Sequence, residues 1–517
     1  MKIRLLTLSL FLTLITFAQP QTSIEWGPEY SIRKNVLNPE TIGWADGRFF
    51  VVRNDYKKNH IESYNTNTLA LENSLLIPVD QNNTELTYLS KFIFNDKPYF
   101  LFAGLDLEAK KLDYYLQSFS TDKLEPSELI LIARRNYNGE KPRTFNGLQS
   151  LVSFYGSDVL LYQEGENLIV GLNLSTLNYT QSSLVDTPQK EYSFFSINAT
   201  DEVSKGSVFT NPPNNFRIEQ TLIKNKNELI FLGCENTIEI EGGREVWKQE
   251  DIILIKANLE TQKQIETKVE LEDGKYIHSY IIHWLSSGQI VISGFTGAEG
   301  DVDGCFSQVY NDDLEVVSLN YDSFSAEFVK STLTEKELKK YKLPVLSNYF
   351  LTEVLVDDLG NYFVIAEEFN FDISTVGDSD FHKYMFGNLL IMKYDKNGAL
   401  SWKKIVQKNQ ITTNDRGRYS SYFAYTKRGN LNLIFNEREG QMVENYEEGM
   451  SEKKWGKVFG NMVTIDAVGA TKKQKVFEFS EKNLMHILPN SCEQIDENTL
   501  LLYARNKRSS MIGKMKI

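Results

Sequence analysis

Along almost the whole chain, short apolar runs alternate with clusters of Gly, Asn, Asp and Ser, and helical periodicity is nearly absent. Runs of this length, rich in aromatic and β-branched residues, predict strands. One helix is expected at Thr334 to Lys342, where Thr334 and Glu337 form a capping box and Pro344 stops the turn. The clearest unit runs from Ser347 to Lys408. Tyr349 to Val356 predicts a first strand, closed by Asp357-Asp358-Leu359-Gly360-Asn361, and Tyr362 to Phe369 a second. A long polar loop follows, then Asn388 to Tyr394 as a third strand, a turn at Asp395-Lys396-Asn397-Gly398, and Ala399 to Gln407 as a fourth. The inner strands are apolar on both faces and the last is mixed. That gradient suits a four-stranded blade wedged between neighbours, with its outer edge in water.

The same order of elements recurs at roughly sixty-residue intervals, a period typical of propellers and solenoids. Copies begin near Phe216, Tyr276 and Tyr419, and weaker ones near Asn38, Leu86 and Leu148. The last of these is expected to carry an inserted hairpin between Asn167 and Asp186. In the copy at Phe216 the fourth strand alternates Ile265, Thr267, Val269 and Leu271 against Glu266, Lys268 and Glu270. The C-terminus supplies only three strands: Leu488 to Gln494, Thr499 to Arg505 and Ser510 to Ile517. The N-terminus supplies one, Ile24 to Ile32. An open strand edge invites aggregation, so these ends are expected to share a sheet. The chain therefore reads as all-β, a β-propeller of about eight four-stranded blades, with seven as the alternative. Pairing of the N-terminal strand with the C-terminal blade closes it, and residues 19–517 form a single domain.

Two stretches carry a resemblance. Asp357-Asp358-Leu359-Gly360-Asn361-Tyr362 and Leu390-Ile391-Met392-Lys393-Tyr394-Asp395-Lys396-Asn397-Gly398-Ala399-Leu400-Ser401-Trp402 resemble the repeat of uncharacterised exported bacterial β-propellers. The Asp-x-x-Gly-x-x-x-Trp hairpin is also similar to a blade signature of quinoprotein-type propellers. That likeness stops at the hairpin and implies no quinone. The first resemblance implies a propeller fold over most of the mature chain and brings no activity with it.

In such a ring, first-to-second and third-to-fourth connections lie on one side, and second-to-third and interblade connections on the other. The first class is tight here: Ser286 to Gly288, Asp357 to Asn361, Asp395 to Gly398 and Lys427 to Asn430. The second class is long at Glu235 to Glu250, Asn370 to Gly387 and Glu437 to Gly460, and much of it is acidic. Variable connections on a rigid scaffold are where binding evolves. Trp247 and Trp455 fall in these stretches as candidate contact anchors. The starts of first strands, which line the axis, offer Arg217, Glu219, His278, Tyr349, Arg418, Tyr422 and His486 as a polar and aromatic ring for a small ligand. Glu299-Gly300-Asp301-Val302-Asp303-Gly304 resembles the opening of a calcium loop, so Glu299, Asp301 and Asp303 are the candidate ligands for Ca2+. Tyr310 stands where a bidentate Glu belongs, and no other cofactor is expected.

The N-terminus sets the compartment. Lys2 and Arg4 precede an apolar run from Leu5 to Phe17, and Thr16 and Ala18 fit a cleavage site, so residues 1–18 read as a signal peptide. The run is too short to span a bilayer, and no longer one follows. Export is expected, to the periplasm, the cell envelope or the exterior. The net charge of −13 becomes −15 once Lys2 and Arg4 leave, which disfavours nucleic acid as partner. Cys234, Cys305 and Cys492 are too few for a disulfide framework; a Cys234–Cys305 bridge is one option, three buried thiols the other. No nucleophile elbow, zinc-protease motif or phosphate loop is present. The expectation is thus a non-catalytic binding or scaffold protein whose acidic, loop-rich face engages a protein or glycan of the cell envelope. A carbohydrate-active hydrolase or lyase working at the channel mouth is the alternative.

Overall fold

Eight antiparallel sheets follow one another along the chain in the computed structural model. It describes residues 24–517 apart from 33–38, 140–158, 185–190, 211–215, 272–274, 298–301, 333–345, 439–457, 480–484 and a few isolated one- or two-residue turn positions. Blade 1 comprises Glu40–Ala45, Arg48–Asp55, Lys58–Asn65 and Leu71–Leu76. Blade 2 has its four main strands between Thr84 and Gly139, blade 3 between Val159 and Thr210, blade 4 between Phe216 and Lys268, and blade 5 between Ile277 and Ser323. Blade 6 comprises Tyr349–Val356, Tyr362–Val376, Ser379–Tyr394 and Leu400–Val406. Blade 7 comprises Phe423–Lys427, Asn430–Arg438, Val458–Ile465 and Thr471–Phe479. No helix among the described residues is long and apolar enough to cross a membrane.

Blade 8 is composite. Ile24–Trp26 and Tyr30–Ser31 both pair antiparallel with Ser509–Lys516, which pairs with Thr499–Arg505. Its innermost strand departs from the expected run Leu488 to Gln494. It is split into His486–Ile487 and Glu493–Asp496, both on Thr499–Arg505, by a 3-10 turn at Pro489–Ser491. Proline supplies no N–H for a ladder, so the chain leaves the sheet there.

The reason for eight sheets lies in the packing. Seven of eight apolar clusters among the described residues are each shared by two sequence-adjacent blades. Phe50, Val52, Phe100 and Phe102 join blades 1 and 2, and the series continues to Ile434, Met462, Leu500 and Leu502 between blades 7 and 8. The eighth cluster, with Phe49, Val51, Leu501 and Tyr503, joins the last blade to the first. In blade 5 the second and third strands, Ile290–Thr296 and Gly304–Tyr310, are thereby buried on both faces, which explains why such strands read as unbroken apolar runs. Strand four of blade 4 behaves differently. It ends at Lys268 with Ile265 exposed, and Val269 and Leu271 bury beyond it, between blades 4 and 5.

Other expectations fare unevenly. A hairpin, Leu177–Thr180 with Ser183–Leu184, is inserted in blade 3 and adds to the outer strand of blade 2, Ile130–Gly139, in parallel. The expected helix at residues 334–342 lies outside the described residues, and a helix not foreseen occupies Ala326–Thr332. The three cysteines are buried thiols, none of them in a disulfide.

Hydrogen bonds between turns fix the two sides of the ring. Gly429 N donates to Asp358 Oδ1 at 2.7 Å, and Lys427 Nζ to Asn498 Oδ1 at 3.0 Å. A β-carbon on Gly360 would meet Ser286 Oγ at 2.4 Å. The tight turns of blades 5 to 8 thus share one side, and second-to-third connections emerge from the other.

Candidate functional site

On that second side, two of the three expected long loops are β-structure. In blade 4 the second and third strands run Glu228–Glu241 and Arg244–Asn258; in blade 6 they run Tyr362–Val376 and Ser379–Tyr394. The third and fourth of these are 15 and 16 residues long, against 7 for Ile290–Thr296 in blade 5. At the usual rise per residue the blade 6 hairpin projects about 25 Å past the blade. Both hairpins leave their sheets at a bulge, between Cys234 and Asn236 and between Glu367 and Phe369. An extra residue at a bulge bends a strand and increases its twist. The third stretch falls mostly within residues 439–457, outside the described residues, and Trp455 with it. Glu437 is described and is held by Lys473 at 2.8 Å.

The blade 6 hairpin carries an aromatic ladder. Phe369 pairs with Phe386, Phe371 with Tyr384 and Ile373 with His382, so these six side chains share one face. Phe371 lies 5.0 Å from Tyr384 and 5.8 Å from His382, ring to ring. Phe371 and Ile373 remain 46% and 53% exposed, and Phe350 beside Phe369 is 56% exposed. Phe381, on the opposite face, is exposed as well.

A second feature sits where blades 6, 7 and 8 meet. A cleft of about 350 Å³ is lined by Thr352 and Glu353 of blade 6, by Ser421 to Ala424 before and within the first strand of blade 7, and by Pro489, Asn490 and Cys492 of blade 8. The 3-10 turn that splits the inner strand of blade 8 supplies the last wall. It is tied to blade 1, since Ser491 Oγ donates to Pro39 O at 2.7 Å and Thr41 Oγ1 to Ser491 O at 3.1 Å.

Behind the cleft lies a buried polar network. Lys408 Nζ stands 2.6 Å from Glu367 Oε1 and donates to Gln410 Oε1 at 2.9 Å. Ser421 Oγ donates to Glu367 Oε2 at 2.7 Å, and Gln410 Nε2 to Asn436 O at 2.9 Å. Burial pushes the Lys408 ammonium down, opposed by the Glu367 charge. Glu353 faces the cleft differently. Burial holds its carboxyl above the ordinary value; a hydrogen bond from Tyr422 pulls it back, and the Glu367 charge adds to the rise. The Tyr422 hydroxyl is raised in turn, by burial and by the Glu353 charge. Thr352 Oγ1 reaches both Ile365 O, at 2.9 Å, and the Tyr422 hydroxyl, but has one proton to donate.

The expected site residues separate into groups. Tyr422 lines the cleft. Tyr349 is buried between blades 5 and 6. Arg418 lies near Arg505, whose pKa is lowered by burial and by the Arg418 charge, and Tyr419 packs on His486 at 4.7 Å. Arg217 and His278 lie in the first strands of blades 4 and 5, away from the cleft. Nearby, Glu219 accepts from Tyr280 and from Cys234 Sγ. Trp247 is placed opposite Ile238 on the blade 4 hairpin. Asp303 is fixed by Thr296, whose hydroxyl donates to Asp303 Oδ1 at 2.7 Å; Glu299 and Asp301 lie outside the described residues. Among the described residues, no group of three or more His, Cys, Asp or Glu side chains could hold a metal ion. Glu353, Glu367 and Lys408 were not singled out from sequence, although a Glu inside Tyr349–Val356 is a charge within an apolar strand and so a visible signal.

No family model matches the chain, and no curated protein matches it. Solved structures do. The WD40 domain of SCAP from fission yeast is 9% identical, covering 96% of this chain and 98% of its own, with a TM-score of 0.39. The Dos1 propeller is 8% identical, covering 95% and 94%, with a TM-score of 0.44. The polysaccharide lyase Uly1 is 9% identical, covering 95% and 99%, with a TM-score of 0.36. These likenesses concern architecture alone.

Proposed function

We propose that this chain is an exported, non-catalytic binding or scaffold protein that engages a protein or glycan of the cell envelope with its hairpin-bearing face. Export rests on the signal-peptide pattern of residues 1–18 and on the resemblance to exported bacterial propellers. The observation that carries the reading is the blade 6 hairpin, which holds Phe371, Ile373 and Phe381 out in water. Exposed aromatic and aliphatic side chains grouped on a projecting ribbon are what an interface core is made of. A ribbon anchored at its base by blade 6 also loses little conformational freedom on binding.

The alternative, a carbohydrate-active hydrolase or lyase at the channel mouth, draws support from the raised carboxyl of Glu353, the state a general acid requires. Against it, Glu353 is the one carboxylate among the residues lining the cleft, and Glu367 behind it is committed to Lys408 and Ser421. Two carboxylates flanking a glycosidic bond are the usual requirement.

The test is a triple substitution, Phe371→Ser, Ile373→Ser and Phe381→Ser, in tagged protein used to capture partners from an envelope extract. Loss of the captured species, with an unchanged melting curve, is expected. Unaltered capture would contradict the reading, and turnover of a polysaccharide by the unmodified protein would favour the alternative.

A further inference from the structure

We infer that the cleft between blades 6, 7 and 8 is a binding site for a small organic cation bearing a primary ammonium group. The site is independent of the hairpin surface.

The Glu367 charge lies close enough to Glu353 to raise its carboxyl, and Lys408 is buried against Glu367. That ammonium is already satisfied by Glu367 and Gln410, on the far side of Ser421 from the cleft. Among the described residues no cation pairs with Glu353, which lies on the wall of an open cleft. A largely buried carboxylate without a counter-charge is costly, and a ligand ammonium supplies that charge.

Geometry adds specificity. An ammonium has three protons to donate. Besides the Glu353 carboxylate, the walls offer the Thr352 and Tyr422 hydroxyls and the exposed Asn490 amide. Phe423 and Pro489 provide apolar surface for a short aliphatic chain. The volume suits a small ligand, at the lower end of the range of about 300–1,000 Å³ for such sites. A neutral polyol would meet the same hydroxyls yet leave the Glu353 charge uncompensated.

Calorimetric titration of the mature chain at pH 8 and low salt tests this, with 1,4-diaminobutane as probe and 1,4-butanediol as its neutral match. Saturable one-to-one binding of the diamine is expected, with none of the diol. Glu353→Gln should weaken the diamine at least tenfold. Asn490→Trp, which fills the cleft from an exposed position, should abolish binding while the melting curve stays unchanged. The second variant keeps the test decisive should the first fail to fold. Equal binding of the diol, no saturable binding of the diamine, or diamine binding retained in folded Glu353→Gln or Asn490→Trp protein would overturn the inference.

Discussion

Trp26 pairs directly with Gly513, and a β-carbon at position 513 would stand 2.7 Å from the indole ring. The glycine lets the indole lie across its own partner strand. From there Trp26 meets Phe477 edge-on at 6.2 Å and Phe479 at 5.3 Å, both on the outer strand of blade 7. The N-terminal strand therefore completes blade 8 and also joins it to blade 7. Trp26→Ala should destabilise the protein by about 2–3 kcal/mol, given that the side chain is only partly buried. Gly513→Val should act in the same direction by expelling the indole. Urea denaturation reads both, and limited proteolysis should then release the segment before residue 32.

Glu493, on the inner strand of blade 8, has its carboxyl pushed by burial from an ordinary 4.5 to about 7, and its Oε2 is buried with no hydrogen-bond partner among the described residues. A raised folded-state pKa on an acid means stability that is fully present below about pH 4.5 and is lost as pH rises to about 7. Glu493→Gln should therefore stabilise the fold at pH 8 by about 1–2 kcal/mol, discounted for partial exposure, with the gain vanishing near pH 4. Melts across that range measure it. A gain independent of pH would remove the titration argument.

Lys408 and Glu367 are both almost wholly buried. Lys408→Met should cost about 3–5 kcal/mol, because it strands the Glu367 charge in the interior. The double variant Lys408→Met with Glu367→Leu should recover most of that loss, leaving the Ser421 hydroxyl as the residual defect. A double-mutant cycle in denaturant measures the coupling.

The residues that announced the fold and those that concealed the site did so for physical reasons. Tyr362 to Ala366 was legible because a strand buried on both faces is apolar throughout, and it starts at a turn, here Asp357 to Asn361. From sequence Asn370 to Gly387 reads as a loop because it mixes polar with aromatic residues, as a two-sided solvated ribbon does. Gly242-Gly243 and Gly377-Asp378, between the paired strands, carried the hairpin signal. Leu488 to Gln494 was read as one strand, although Pro489 and Asn490 break a ladder. The cleft exists because of that break. Its members come from three blades, up to 140 positions apart, and no spacing in the sequence records their meeting. Glu353 was the one local hint, a carboxylate inside an apolar strand.

Site-specific photocrosslinking tests the binding face most directly. A benzoylphenylalanine placed at Phe371, on the hairpin, is compared in producing cells with one at Leu359, 65% exposed on the tight-turn side. A discrete crosslinked envelope species is expected from position 371 and none from position 359. The same species from both positions, or from 359 alone, would contradict it.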